Sequence, residues 1–176
     1  MQPLTFIHNV QSQCFRSDGL ADDDEEDIVM TFEDFRRSMG HSSRPVRNEI
    51  EKGAIRRFAA AIGDFNPRYH DDSRRSDGRL LAPPTFSRTF EYGSIEGLTF
   101  AREGLIHGEQ SFTYYEPLYS GMTVFCSTTL RDVYERVGSL GAMIFLVYGQ
   151  EVRNADGDLL EESTSVIIFR DKEVAL

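Results

Sequence analysis

Hydrophobic and polar residues change rhythm along the chain. The changes separate a polar leader, a helical stretch, a polar loop and a run of strands. Residues 1 to about 30 show no sustained period and read as a tail. Thr31 is placed to cap a short helix, Phe32 to Met39, with Phe32 and Phe35 on one side. Gly40 to Pro45 reads as a turn-rich linker. Ile55, Phe58, Ala59 and Ile62 then recur at helical spacing, which predicts an amphipathic helix over Glu51 to Gly63. Asn48 and Glu51 have the spacing of a capping box, and Gly63 is the stop. Alanines at 59, 60 and 61 would let a sheet approach this helix closely.

Asp64 to Leu81 is a long polar connection, of the kind that carries function in a compact domain. Ala82-Pro83-Pro84 excludes both a helix interior and a central strand. Thr85 to Tyr92 has the length of a short second helix, and Gly93 to Gly104 is a loop anchored by Ile95, Leu98 and Phe100. From there the pattern predicts an antiparallel meander. His107 to Tyr115 alternates, with Phe112 and Tyr114 on one face, and Met122 to Glu135 is a long strand. After a turn at Gly138 to Gly141, the apolar run beginning at Ala142 predicts a strand to Val152 buried on both faces. Asn154-Ala155-Asp156-Gly157 is a hairpin signal, and Leu159 to Arg170 is a β-branched closing strand.

Composition narrows the function classes. With 40% hydrophobic residues among 176, the chain can bury a core, so we expect an acidic tail over 1–40 and one domain over 41–176. The net charge is −10. Six of those charges form the run Asp22 to Asp27, and the rest of the chain carries only −4. Nothing here attracts a polyanion, so nucleic acid is not an expected partner. No apolar run is long enough for a membrane span and no secretory leader is visible, so a cytoplasmic setting is expected. Cys14 and Cys126 suggest neither a disulfide framework nor a zinc site.

The segment Gly63-Asp64-Phe65-Asn66-Pro67-Arg68-Tyr69-His70 resembles the hydratase loop of the MaoC-like hot-dog proteins. That family includes (R)-specific enoyl-CoA hydratases and 3-hydroxyacyl-thioester dehydratases. Leu81-Ala82-Pro83-Pro84-Thr85-Phe86, His107-Gly108-Glu109-Gln110-Ser111-Phe112 and Glu151-Val152-Arg153-Asn154 extend the resemblance. They carry it to the FAS1-like, or MaoC N-terminal, dehydratase branch, over about Val46 to Arg170. The fold it implies is α+β, a hot-dog with a curved antiparallel sheet wrapped around a central helix.

The activity it implies is reversible addition of water to an enoyl thioester. That chemistry needs a base for the water, a proton for the α-carbon and donors for the enolate oxygen. In the family, an aspartate and a histidine position the water and a backbone N–H polarises the carbonyl. Asp64 matches the aspartate. Tyr69 stands at the histidine's place, with His70 one residue beyond. The family's Ala-His-Gly is replaced by Ala82-Pro83-Pro84, so the glycine that gives the N–H is a proline here. The branch thus implies a chain that shapes an acyl site while a second hot-dog subunit supplies the catalytic groups. Two alternatives stay open: a self-sufficient homodimer using Asp64 and His70, and a non-catalytic protein that binds acyl thioesters.

The candidate catalytic residues are Asp64 and His70, and the candidate substrate contacts are Asn66, Tyr69, Pro84, Thr85 and Phe86. Each has a plainer role available. Asp64 and Asn66 can hold the turn before Pro67, and His70 can be a loop histidine beside Asp71 and Asp72. Tyr69, Phe86, Phe90 and Tyr92 can fill core, and His107 can be structural. Arg68, Arg74, Arg75 and Arg79 are candidates for the phosphates of CoA or an acyl carrier protein, or simply a solvated face. No cofactor is expected beyond the CoA or phosphopantetheine carrying the substrate, and no metal.

Overall fold

A computed structural model describes residues 30–98, 105–138 and 141–170. Cys14, the acidic run, Phe100 and the two central residues of the expected turn at 138–141 lie outside that range. Its elements are α1 (Phe32–Arg37), β1 (Val46–Glu49), α2 (Lys52–Ala61), α3 (Pro67–His70), β2 (Leu105–Tyr114), β3 (Thr123–Gly138), β4 (Gly141–Arg153) and β5 (Leu159–Arg170). The strands form one antiparallel sheet in the order β1-β3-β4-β5-β2.

The meander β3–β4–β5 is fixed by its turn chemistry. Asn154 Oδ1 accepts the N–H groups of Asp156 and Asp158, and Gly157 takes φ +90°. Register shifts at Leu130/Asp132, His107/Glu109 and Val152/Arg153 mark the bulges that bend such strands. In β4 the sequence suggested burial on both faces. Instead Ala142, Ile144, Leu146 and Val152 are buried, while Met143, Phe145 and Val147 between them are only half-buried. The outer face is open, and there Phe145 stacks on Tyr134 at 4.8 Å beneath the Arg136 guanidinium.

Helix α2 lies on the inner face. Ile55 and Ala59 are fully buried in one cluster with Val124, Cys126, Val152 and Leu160, and Phe58 packs against it. Burying one side chain the size of isoleucine stabilises by roughly 1.5–3 kcal/mol, so this stripe seats the helix. Its opposite side is open: Ala60, Ala61 and Ile62 are exposed, so of the three alanines only Ala59 meets the sheet. The expected capping box does not form. Asn48 belongs to β1, where its side chain accepts the Glu91 N–H and donates to the Glu91 and Val46 carbonyls, and Glu51 is a cap without a side-chain bond. Gly63 ends the helix at φ +73°. Over Thr85 to Tyr92 only the 3-10 turn Phe86–Thr89 forms.

A second cluster closes the far end of the inner face. Thr31 caps α1 in a reciprocal box with Asp34, and Phe35 enters a cluster with Leu130, Val133, Ile144, Leu146 and Ile95. The linker follows β3, with hydrogen bonds from Gly40 N–H to Leu130 O and from Ser43 N–H to Thr128 O. Between the two clusters the inner face turns polar at Gln150, Ser163 and Glu161.

Candidate functional site

The loop leaving α2 is tied to itself. Asp64 Oδ1 accepts the Asn66 N–H at 3.0 Å, and Asn66 Oδ1 accepts the Arg68 N–H at 3.2 Å and caps α3, which Pro67 begins. His70 Nε2 lies 3.0 Å from the backbone carbonyl oxygen of Asp64 rather than from its carboxylate. The His70 ring stacks on Phe65, which is 73% exposed. Asp64, Asn66 and His70 are therefore brought together in one tight loop, each bonded to backbone. None of them lines the three cavities described below.

The other candidates gather elsewhere. Tyr69 is turned inward and buried, and with Arg68, Leu81, Pro84, Tyr115 and Leu118 it walls an apolar cavity of about 330 Å³. Thr85 borders this wall in a left-handed conformation, φ 67°, which is costly for a β-branched residue. Its N–H donates to the Tyr114 hydroxyl at 3.3 Å. Phe86 points away from the cavity into the core under α2, edge-on to Phe58 and Phe90 at 5.5 and 5.6 Å. His107 stands apart on the exposed strand β2, its ring 3.2 Å from Gln110 Oε1.

A basic recess of about 300 Å³ adjoins the cavity and shares Arg68 and Leu81 with it. Arg74, Arg75, Arg79, Asp71 and Tyr119 complete its wall. Arg75 lies over the Tyr119 ring at 4.3 Å and pairs with Asp77 at 2.9 Å. The hydrogen bonds from Arg75 and from the Arg79 backbone hold the Asp77 carboxyl down at about 2. Four arginines against Asp71 and Asp77 leave the recess net positive. A wider, open recess of about 600 Å³ beside the start of α2 carries both signs, from Glu49, Lys52, Asp77 and Arg79.

One residue on the cavity wall escaped the sequence reading. Glu161, in β5, is 2% exposed and takes a hydrogen bond from the Ser87 hydroxyl, itself buried. Burial raises its pKa, and the Ser87 bond opposes that shift. The available signal was an acid at an inward position of a strand whose next inward residues are Ser163 and Ser165. Burial also pushes the free Cys126 thiol up to about 12, which makes it inert. Among the described residues no cluster of histidine, cysteine or acidic side chains could hold a metal, and no helix is long and apolar enough to cross a membrane.

A sheet in this order with α2 against its inner face defines a hot-dog fold, and solved structures similar to it agree. The HadBC (3R-hydroxyacyl-ACP dehydratase) complex from Mycobacterium tuberculosis superposes with TM-score 0.59 at 20% identity, over 74% of this chain and 96% of that one. The ChsH1–ChsH2 complex from the same organism gives 0.63 at 22%, over 80% and 96%. The (R)-hydratase from A. caviae involved in PHA biosynthesis gives 0.55 at 18%, over 75% and 96%. Residues 37–162 match the family model described as FAS1-like, dehydratase domain region, and the chain belongs to that family. A "UPF0336 protein" of Thermobifida fusca (strain YX) is 31% identical over 140 residues, 72% of this chain and 86% of the relative.

Proposed function

We propose that this chain is the substrate-shaping subunit of an enoyl-thioester hydratase/3-hydroxyacyl-thioester dehydratase, working beside a second hot-dog subunit that supplies the acid and base. The observation that carries the reading is the division within its own site. The cavity is walled by Tyr69, Pro84 and their neighbours, while Asp64 and His70 are spent on backbone contacts outside it. Pro84 offers no N–H to an enolate oxygen, and the Thr85 N–H is engaged by Tyr114.

The ligand class follows from the paired recesses. An apolar cavity beside a net-positive one suits an acyl group on a phosphate-bearing arm such as CoA or phosphopantetheine. The arginines would meet the phosphates and the cavity the acyl end. The thioester arm arrives with the substrate, so the reaction draws on no resident cofactor.

Two surfaces support a partner. Among the described residues strand β2 pairs only with β5, and its residues Leu105 and Ile106 are exposed, which leaves an edge able to accept another sheet. Ile62 and Phe65 are exposed around the Asp64 loop. The dehydratase and ChsH1–ChsH2 structures similar to this chain are themselves complexes of two named subunits.

The test is hydration of crotonyl-CoA, followed by loss of its absorbance, with the chain alone and with a MaoC-type partner co-expressed from the same genome. Turnover is expected only for the pair, with Asp64→Asn and His70→Ala leaving it within a few-fold of wild type. Full turnover by the chain alone, abolished by either substitution, would overturn the reading in favour of a self-sufficient homodimer.

A further inference from the structure

Glu161 is an expensive residue to keep where it is. It is buried, its carboxyl has about four lone-pair positions, and one of them is used, by Ser87. No arginine, lysine or histidine forms an ion pair with it among the described residues. A buried carboxyl left so underbonded destabilises a fold, and an apolar side chain of similar size would pack there at lower cost. Its neighbours in register are Val152 and Tyr114, and neither neutralises it. Stability therefore does not account for it. Its position does suggest a role, because it is the one acidic group on the buried side of the mostly apolar cavity, with Glu116 and Arg68 exposed on the rim.

We infer that Glu161, oriented by Ser87, determines specificity by binding a hydroxyl group carried on the acyl chain of the ligand. A hydroxyl suits this carboxyl in either protonation state: a carboxylate accepts its hydrogen, and a carboxylic acid both donates and accepts. A plain alkyl chain would leave the carboxyl dry with Ser87 as its one hydrogen-bond partner, which weakens binding. At about 30 Å³ for each water-sized group, a cavity of about 330 Å³ holds roughly ten such groups. It therefore accommodates a medium-length chain with its hydroxyl. Arg88 and Ser163 both donate to Gln150 Oε1 nearby, at 3.0 and 3.3 Å, so the polar surface continues past Glu161 along the sheet.

The inference rests on the acyl-thioester reading, and its test separates the two. Octanoyl-CoA, 3-hydroxyoctanoyl-CoA and 8-hydroxyoctanoyl-CoA are titrated calorimetrically into wild type, Glu161→Gln, Glu161→Leu and Ser87→Ala. For wild type, at least one hydroxylated ester is expected to bind about tenfold tighter than octanoyl-CoA, the worth of one well-made hydrogen bond. Glu161→Leu should erase that preference by tightening octanoyl-CoA and weakening its hydroxylated form. Glu161→Gln, which keeps the shape and a hydrogen-bonding group, should retain part of it, and Ser87→Ala should reduce it. Equal wild-type affinity for all three esters, or a ratio unchanged in Glu161→Leu, overturns the inference and leaves the thioester reading standing. Failure of wild type to bind any of them overturns both.

Discussion

Asp64 shows how one side chain separates the two ways of reading the loop. As an Asx-turn acceptor it needs only an oxygen aimed at the Asn66 N–H, which asparagine also provides. Asp64→Asn is therefore expected to leave the urea midpoint almost unchanged, and Asp64→Ala to cost about 1 kcal/mol. A catalytic carboxylate would tolerate neither in an activity assay. Thr85 makes the opposite case. Its left-handed backbone costs about 1–3 kcal/mol, whereas glycine there adds only about 0.5–1 kcal/mol of unfolded-state entropy. Thr85→Gly is thus expected to raise the midpoint, by a shift equivalent to about 1 kcal/mol of unfolding free energy. The sequence singled out both residues from their neighbours in a motif. It could not have shown the Tyr114 hydroxyl on Thr85, because that bond spans 29 positions.

Among the elements, α2 and β5 carry the sharpest expectations. Ile55 is completely buried, so Ile55→Ala should cost about 2–5 kcal/mol in equilibrium unfolding and loosen the helix from the sheet. In β5 the sign of a pH effect follows from Glu161. Its folded-state pKa lies above the ordinary carboxylate value, so the folded state prefers the proton. The associated stability is fully present below about pH 4.3 and is lost as pH rises through the folded-state value. Glu161→Gln should therefore flatten the fall in melting temperature above that pH and gain most over wild type at neutral pH, read by thermal melts from pH 4 to 8. Where an element announces itself locally, the sequence was enough: β5 runs from Leu159 to Arg170 as its β-branched pattern indicates, and the Asn154 turn forms as expected. Strand β1 was missed because four residues, Val-Arg-Asn-Glu, carry too little pattern, and pairing with β3 creates it. Glu161 was missed because its meaning depends on Ser87, 74 positions away.

At the scale of the molecule, the partner proposed above is expected to join at the exposed edge of β2. Ile106 lies on that edge and is half exposed, so Ile106→Lys is expected to shift the protein toward monomer in sedimentation velocity while the melting temperature of the isolated chain holds. Unchanged sedimentation would move the joint elsewhere, with the surface around Phe65 next to be tried. The hot-dog architecture was legible from the order of one helix and a long meander together with the loop motif. The separation of Asp64 from the cavity was not, since the same motif folds either way until a backbone carbonyl claims the histidine.

Arg68 and Leu81 stand on the partition between the charged recess and the apolar one. A molecule long enough to straddle that wall meets the second compartment already tethered by the first, at an effective concentration that free pieces in solution never reach. Cutting such a molecule at its middle would turn one firm grip into two feeble ones, although every contact surface survived the cut.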